Sequence, residues 1–104
     1  MITPLQEKQF RDAVRAILRN LDLPTGVRVG GYLFSVDMEL KPVLRVWIVI
    51  DDALGTEEWL DEHILPIRNQ IHDQLIQQGI EHWPLVRFET ISEWNAEPFQ
   101  GETL

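Results

Sequence analysis

The chain is predicted to fold as a two-layer α+β sandwich, a three-stranded sheet with its helices packed on one face. Three observations carry this expectation. Apolar residues recur at helical spacing in two separate stretches, 10–21 and 60–75. Two β-rich runs follow one another between those stretches, in 27–37 and 43–52. A third short run, 84–91, comes after the second helical stretch. The element order is therefore α-β-β-α-β.

The first helix has an explicit start. Thr3 suits the N-cap, Pro4 the first helical position, and Gln6 completes a capping box three residues after the cap. Phe10, Val14, Ile17, Leu18 and Leu21 then form one apolar stripe. Opposite it stand Lys8, Arg11, Arg15 and Arg19, the arginines at successive steps of four. The stretch "DLPTG" ends the helix.

In the first β-run, Val27 and Val29 fall out of parity with Tyr32, Phe34 and Val36. One extra residue at Gly30–Gly31 brings all five to one side, so a glycine bulge is expected there. In the second run Leu44, Val46, Ile48 and Ile50 alternate toward the core, while Val43, Arg45, Trp47 and Val49 point away. From Thr56 to Gln78 the residues Leu60, Ile64, Ile67, Ile71 and Leu75 keep helical register. Pro66 lies inside, so this helix is expected to be kinked or split there. Gly79 suits a left-handed C-terminal cap. The third strand, "PLVRFETI", begins at a proline and so reads as an edge strand or a strand start. It joins the second strand through a helical crossover, and a parallel pairing is the natural connection. Residues 1–92 form the expected domain and 93–104 a tail.

Composition bounds the function. The 104 residues suffice for one core. There is no cysteine, which removes disulfides, thiolate nucleophiles and Cys-based metal sites and suits the expected cytoplasmic location. No apolar run approaches the roughly 18 residues of a membrane span, and the opening residues do not read as a signal peptide. The net charge of −8 divides unevenly: +2 through Arg45 and −10 after it. Such a field disfavours nucleic acid over most of the surface.

Six carboxylates stand between Asp51 and Glu62 (Asp51, Asp52, Glu57, Glu58, Asp61, Glu62) and raise the question of a hard-cation site. Their spacing lacks the alternating acidic loop of a calcium site, whereas acids in the first turns of a helix capped by Thr56 interact favourably with its dipole. We therefore expect no metal and no cofactor. Ser35 and Ser92 lie in no nucleophile elbow, His63 and His72 form no H-E-x-x-H pair, and no phosphate loop is present, so no catalytic residues are assigned.

The second face of the sheet is the stronger clue. Leu33, Arg45, Trp47, Val49 and Arg87 lie on it, too apolar for a face meant only for water. Trp and Arg are enriched at docking hot spots. The expected function is a small soluble protein-interaction module, homodimeric or docking a protein partner around Trp47. In the competing reading the tail folds back, placing Trp94 or Phe99 over Trp47.

The element order is similar to that of type II KH domains, which grip nucleotides with a G-x-x-G loop between two helices. The corresponding point here is "ILPIRNQ", without glycine. That resemblance implies an alternative, RNA binding through Lys8, Arg11, Arg15 and Arg19. The order also resembles the cytosolic domain of cation-efflux transporters, where an acid-rich helix bears a metal-binding histidine. With "TEEWL" laid on that helix start, Leu60 takes the histidine's place. This second resemblance implies a carboxylate-dependent metal protein.

Overall fold

The computed structural model describes residues 4–104, with side chains from residue 7 onward. The expected cap at Thr3 and Gln6 lies outside the described residues and side chains. In chain order the elements are α1 (Pro4–Arg19), β1 (Val27–Val36), β2 (Pro42–Ile50), a single 3-10 turn (Asp52–Leu54), α2 (Glu57–Gln77), β3 (Trp83–Thr90), α3 (Ile91–Ala96) and β4 (Glu102–Thr103). This is a mixed α+β fold whose sheet has four strands in the order β3-β2-β1-β4.

β1 and β2 form an antiparallel hairpin, and β2 pairs with β3 in parallel. The hairpin turn is held by the Asp37 carboxylate, whose Oδ1 accepts from the backbone N–H of Glu39 and of Lys41, both at 2.9 Å. Leu40 takes φ 62° there, a left-handed conformation that closes the turn. The β1–β2 register shifts between Val29 and Gly31, so Val29 opposes Ile48 while Tyr32 opposes Val46. This is the bulge that the parity of the apolar residues requires. It turns Val29 and Tyr32 to the same face although they are three residues apart.

That face meets α1 and α2. Val14 and Leu18 of α1, Ile67, Ile71 and Leu75 of α2, and Tyr32, Leu44, Val46, Ile48 and Ile50 of the sheet make one core. Each such side chain contributes about 1.5–3 kcal/mol by leaving water. Phe10 and Phe34 pack at the margin with the His82 ring, at centroid distances of 5.0 Å between the two phenylalanines and 5.0 and 5.6 Å to the histidine. Desolvation there holds the His82 imidazole below its usual pKa.

α2 starts as its sequence dictates. Thr56 caps it, its Oγ1 accepting from the Trp59 N–H at 3.2 Å, and Glu57 and Glu58 stand in the first turn. The helix continues through Pro66 as one 21-residue element, so it is not split there. Burial of Ile67, Ile71 and Leu75 in the turns that follow Pro66 holds that half of the helix against the core. At its end Gly79 takes φ +71°, and the Ile80 N–H reaches back to the Leu75 carbonyl at 2.9 Å.

The largest departures from expectation lie after Thr90. The sheet gains a fourth strand, because β4 pairs antiparallel with β1 at Gly31 and Tyr32. Helices do not cover one face only. α1 and α2 lie on the front, while α3 and the segment that follows it lie against the back. Among the described residues no helix is long and apolar enough to cross a membrane.

Candidate docking surface

Cross-strand register arranges the back of the sheet in rows. Leu33, Arg45 and Leu85 stand side by side across β1, β2 and β3, and Gly31, Trp47 and Arg87 form the next row. Arg28 opposes Val49 one step further on, which puts a third arginine on this face. Leu33 is 37% exposed and Leu85 38%, with Arg45 and Arg87 exposed beside them.

Residues 91–104 cover the rest. Phe99 meets the Trp47 ring edge-on at 4.8 Å between centroids, and Trp94 packs on Phe99 at 4.8 Å. The space for these rings is made by absent side chains. A Cβ on Gly30 would come within 2.7 Å of Val49 Cγ2 and 2.9 Å of Trp94 Cζ2, and one on Gly31 would overlap Phe99 and stand 2.6 Å from the Glu102 carbonyl oxygen. The same two glycines therefore bulge β1 and seat the aromatic pair. Beside them a cleft of about 320 Å³ opens between Leu33, Trp47 and Arg87 on the sheet and Trp94, Pro98 and Phe99 above it.

Two hydrogen-bonded links hold α3 in place. Thr90 and Glu93 form a capping box, the Thr90 N–H donating to Glu93 Oε1 at 2.9 Å and the Glu93 N–H to Thr90 Oγ1 at 3.2 Å. Asp52 accepts from the Ser92 N–H at 3.1 Å and from the Ser92 hydroxyl. The Ser92 bonds keep the Asp52 carboxyl below the usual carboxylate range, and the Thr90 N–H and hydroxyl do the same for Glu93. Both folded-state values are depressed, so this contribution to docking is complete above about pH 4–5, where unfolded-chain carboxylates are ionised. It is lost as pH falls through the lower folded-state values. Tryptophan emission followed from pH 6 to pH 2 is expected to shift to the red in acid before the core unfolds, and Asp52→Ala, which removes the acceptor, to show part of that shift already at neutral pH.

The five residues expected to dock a partner thus have different fates. Leu33, Arg45 and Arg87 present side chains to solvent. Trp47 is half-buried under Phe99, which corrects the expectation of a bare sheet around it. Val49 is 1% exposed beneath the α3 aromatic and leaves the set. Arg28 and Phe99 lie on the same face. Arg28 shows itself only once the bulge has set the parity of the residues before it, and Phe99 sits in a segment without periodicity.

Arg87 pairs with Glu89 at 3.1 Å. On α1, Arg11 approaches Glu102 at 3.8 Å, and Arg15 Nη1 donates to the Thr103 carbonyl at 3.4 Å, so half of the basic stripe addresses β4. Lys8 and Arg19 remain exposed. The point at which a KH domain carries its nucleotide loop lies inside unbroken α2. Among the described residues no group of three or more His, Asp or Glu side chains gathers to hold a metal ion, and Asp52 serves as the anchor of α3. No protein-family model, curated protein or solved structure matches the chain significantly.

Proposed function

We propose that this chain is a small protein-interaction module that docks through the back of its sheet, on the row Leu33, Arg45 and Leu85 and on Arg87 beside Trp47. The observation that carries this reading is that row: two leucines left open to water on either side of an arginine, at the middle of three strands. Arg28 and Arg45, with Arg87 already paired to Glu89, place cations on one face of a chain of net charge −8, so a partner surface with apolar groups and acids opposite Arg28 and Arg45 fits it. A second copy carries acids to offer, since the residues after Arg45 carry −10. Burying Leu33 and Leu85 and pairing the arginines supports a homodimer or a docked protein partner.

RNA binding through Lys8, Arg11, Arg15 and Arg19 has less behind it, because Arg11 and Arg15 are turned to β4. Light scattering over a range of concentrations tests the dimer. The wild type is expected to be dimeric, and Arg45→Glu with Leu85→Asp monomeric with unchanged circular dichroism. Dimerisation weakened by salt follows from the arginines. A wild type that stays monomeric at every concentration, or a variant that dimerises as well as the wild type, would sink the homodimer.

A further inference from the structure

Residues 99–104 show what a groove at the edge of β1 recognises, because they fill it. Phe99 lies on Trp47 over the Gly31 notch, on the back of the sheet. Gly101 crosses β1 at the closest approach, where a Cβ would stand 2.5 Å from the Tyr32 carbonyl oxygen. Glu102 and Thr103 then pair with Tyr32 and Gly31, and the Leu104 N–H donates to the Gly30 carbonyl at 3.1 Å. Glu102 faces Arg11 at 3.8 Å, and Leu104 packs at the margin of the front core, in a depression lined by Leu18, Leu21, Leu23 and Val27. The segment wraps from one face of the sheet to the other around a strand edge.

The hold on this segment is slight. β4 has two residues, both exposed, and Glu97, Pro98 and Gln100 are exposed as well. The anchoring pair Arg11–Glu102 lies half in water, where such pairs are weak. Elements with few buried contacts open at low free-energy cost relative to the core. Opening this one would bare Trp47, the glycine notch and the outer edge of β1, which beyond Tyr32 has no partner strand among the described residues. An exposed strand edge next to an aromatic pocket is the arrangement that captures extended peptides by strand addition.

We infer that the β1 edge with the Trp47–Gly31 notch is a peptide-binding groove, occupied in cis by residues 99–104 and open to a segment of a partner protein with the same pattern: an aromatic residue, glycine two positions on, an acidic residue next and an aliphatic residue two further. The chemistry is set by what each position meets: Trp47 for the ring, the Tyr32 carbonyl for the glycine, Arg11 for the acid and the leucine-lined depression for the aliphatic group. The cis segment is then an autoinhibitory strap that a matching partner must displace. This groove builds on the interaction-module reading but uses neither the Leu33–Arg45–Leu85 row nor the dimer.

A synthetic peptide of residues 97–104, titrated into the full-length Phe99→Ala chain and followed by calorimetry and tryptophan emission, tests it. Saturable binding with a blue shift is expected. A peptide with alanine for the phenylalanine is expected to bind at least tenfold more weakly, as is the unaltered peptide to the wild-type chain, whose own segment competes at high effective concentration, and a peptide with lysine for the glutamate about two- to fivefold more weakly. No binding up to millimolar peptide, or equal binding by wild type and Phe99→Ala, overturns the groove without touching the dimer reading. Should Phe99→Ala fail to fold, hydrogen exchange at Glu102–Leu104 of the wild type under excess peptide gives the answer: acceleration supports displacement, and unchanged protection overturns it. A heterodimer formed on mixing Phe99→Ala with Gly31→Ala, both also carrying Arg45→Glu and Leu85→Asp so that the row cannot pair, would assign the groove to a second copy's segment and overturn the separate partner.

Discussion

Alanine in place of Gly31 is expected to drive residues 97–104 off the sheet. The added Cβ would overlap the Phe99 ring and stand 2.6 Å from the Glu102 carbonyl oxygen. A ring can turn away, but Glu102 is held by its backbone pairing to Tyr32, so the clash cannot be relieved while β4 stays in place. Overpacking of this kind costs about 1–3 kcal/mol, and here the strain is released by losing the strand. The expected signature is a red-shifted tryptophan emission, faster hydrogen exchange at Glu102–Leu104 and a lower denaturation midpoint, with the secondary structure of the remaining sheet retained. Gly79→Ala makes the control: an added Cβ there meets nothing within 4 Å, so only the left-handed backbone is penalised. A Gly31→Ala chain whose tail amides stay protected would refute the notch.

Phe99→Ala removes the other half of the same contact. Truncating a fully buried phenylalanine costs roughly 3–5 kcal/mol. Phe99 is half-buried between Trp47 and Trp94, so about 2 kcal/mol is expected. The loss is expected to be non-additive with Gly31→Ala, since either change alone undocks the segment. Chemical denaturation of the two single variants and the double variant checks this: a double variant no less stable than the weaker single one fits a shared contact, and full additivity would show two independent effects. Opening the back of the sheet in either variant is also expected to raise binding of an apolar dye, because Trp47 loses its cover.

Much of the fold follows from local pattern. Leu44, Val46, Ile48 and Ile50 alternate because one side of β2 is core. Leu60, Ile64, Ile67, Ile71 and Leu75 repeat at helical spacing because α2 lies along that core. The parity break at Gly30–Gly31 reveals the bulge, and Thr56 and Gly79 mark the ends of α2, since caps and left-handed turns depend on residues a few positions apart. Even the crowd of acids from Asp51 to Glu62 is readable as a helix start, although the tie between Asp52 and Ser92 is not, being a contact across 40 residues. Pro66 leaves a kink and a break both open to the sequence, and of the two the break does not occur. Its missing N–H marks a possible break, yet the burial of Ile67 and Ile71 outweighs one lost helical bond.

The order α1-β1-β2-α2-β3, the inward face of β2 and of α2, the glycine bulge and the absence of thiol chemistry were determined by the sequence alone, because each depends on residue identity at short range. What lies on the back of the sheet was decided only in three dimensions. β4 has two residues and α3 six, too short for periodicity to signal them. They exist because Gly30 and Gly31, more than 60 positions earlier in the chain, leave room against Trp47 for the rings of Trp94 and Phe99. A vacancy made by two missing side chains has no local signature, and becomes a binding notch only once the sheet has brought a tryptophan alongside it.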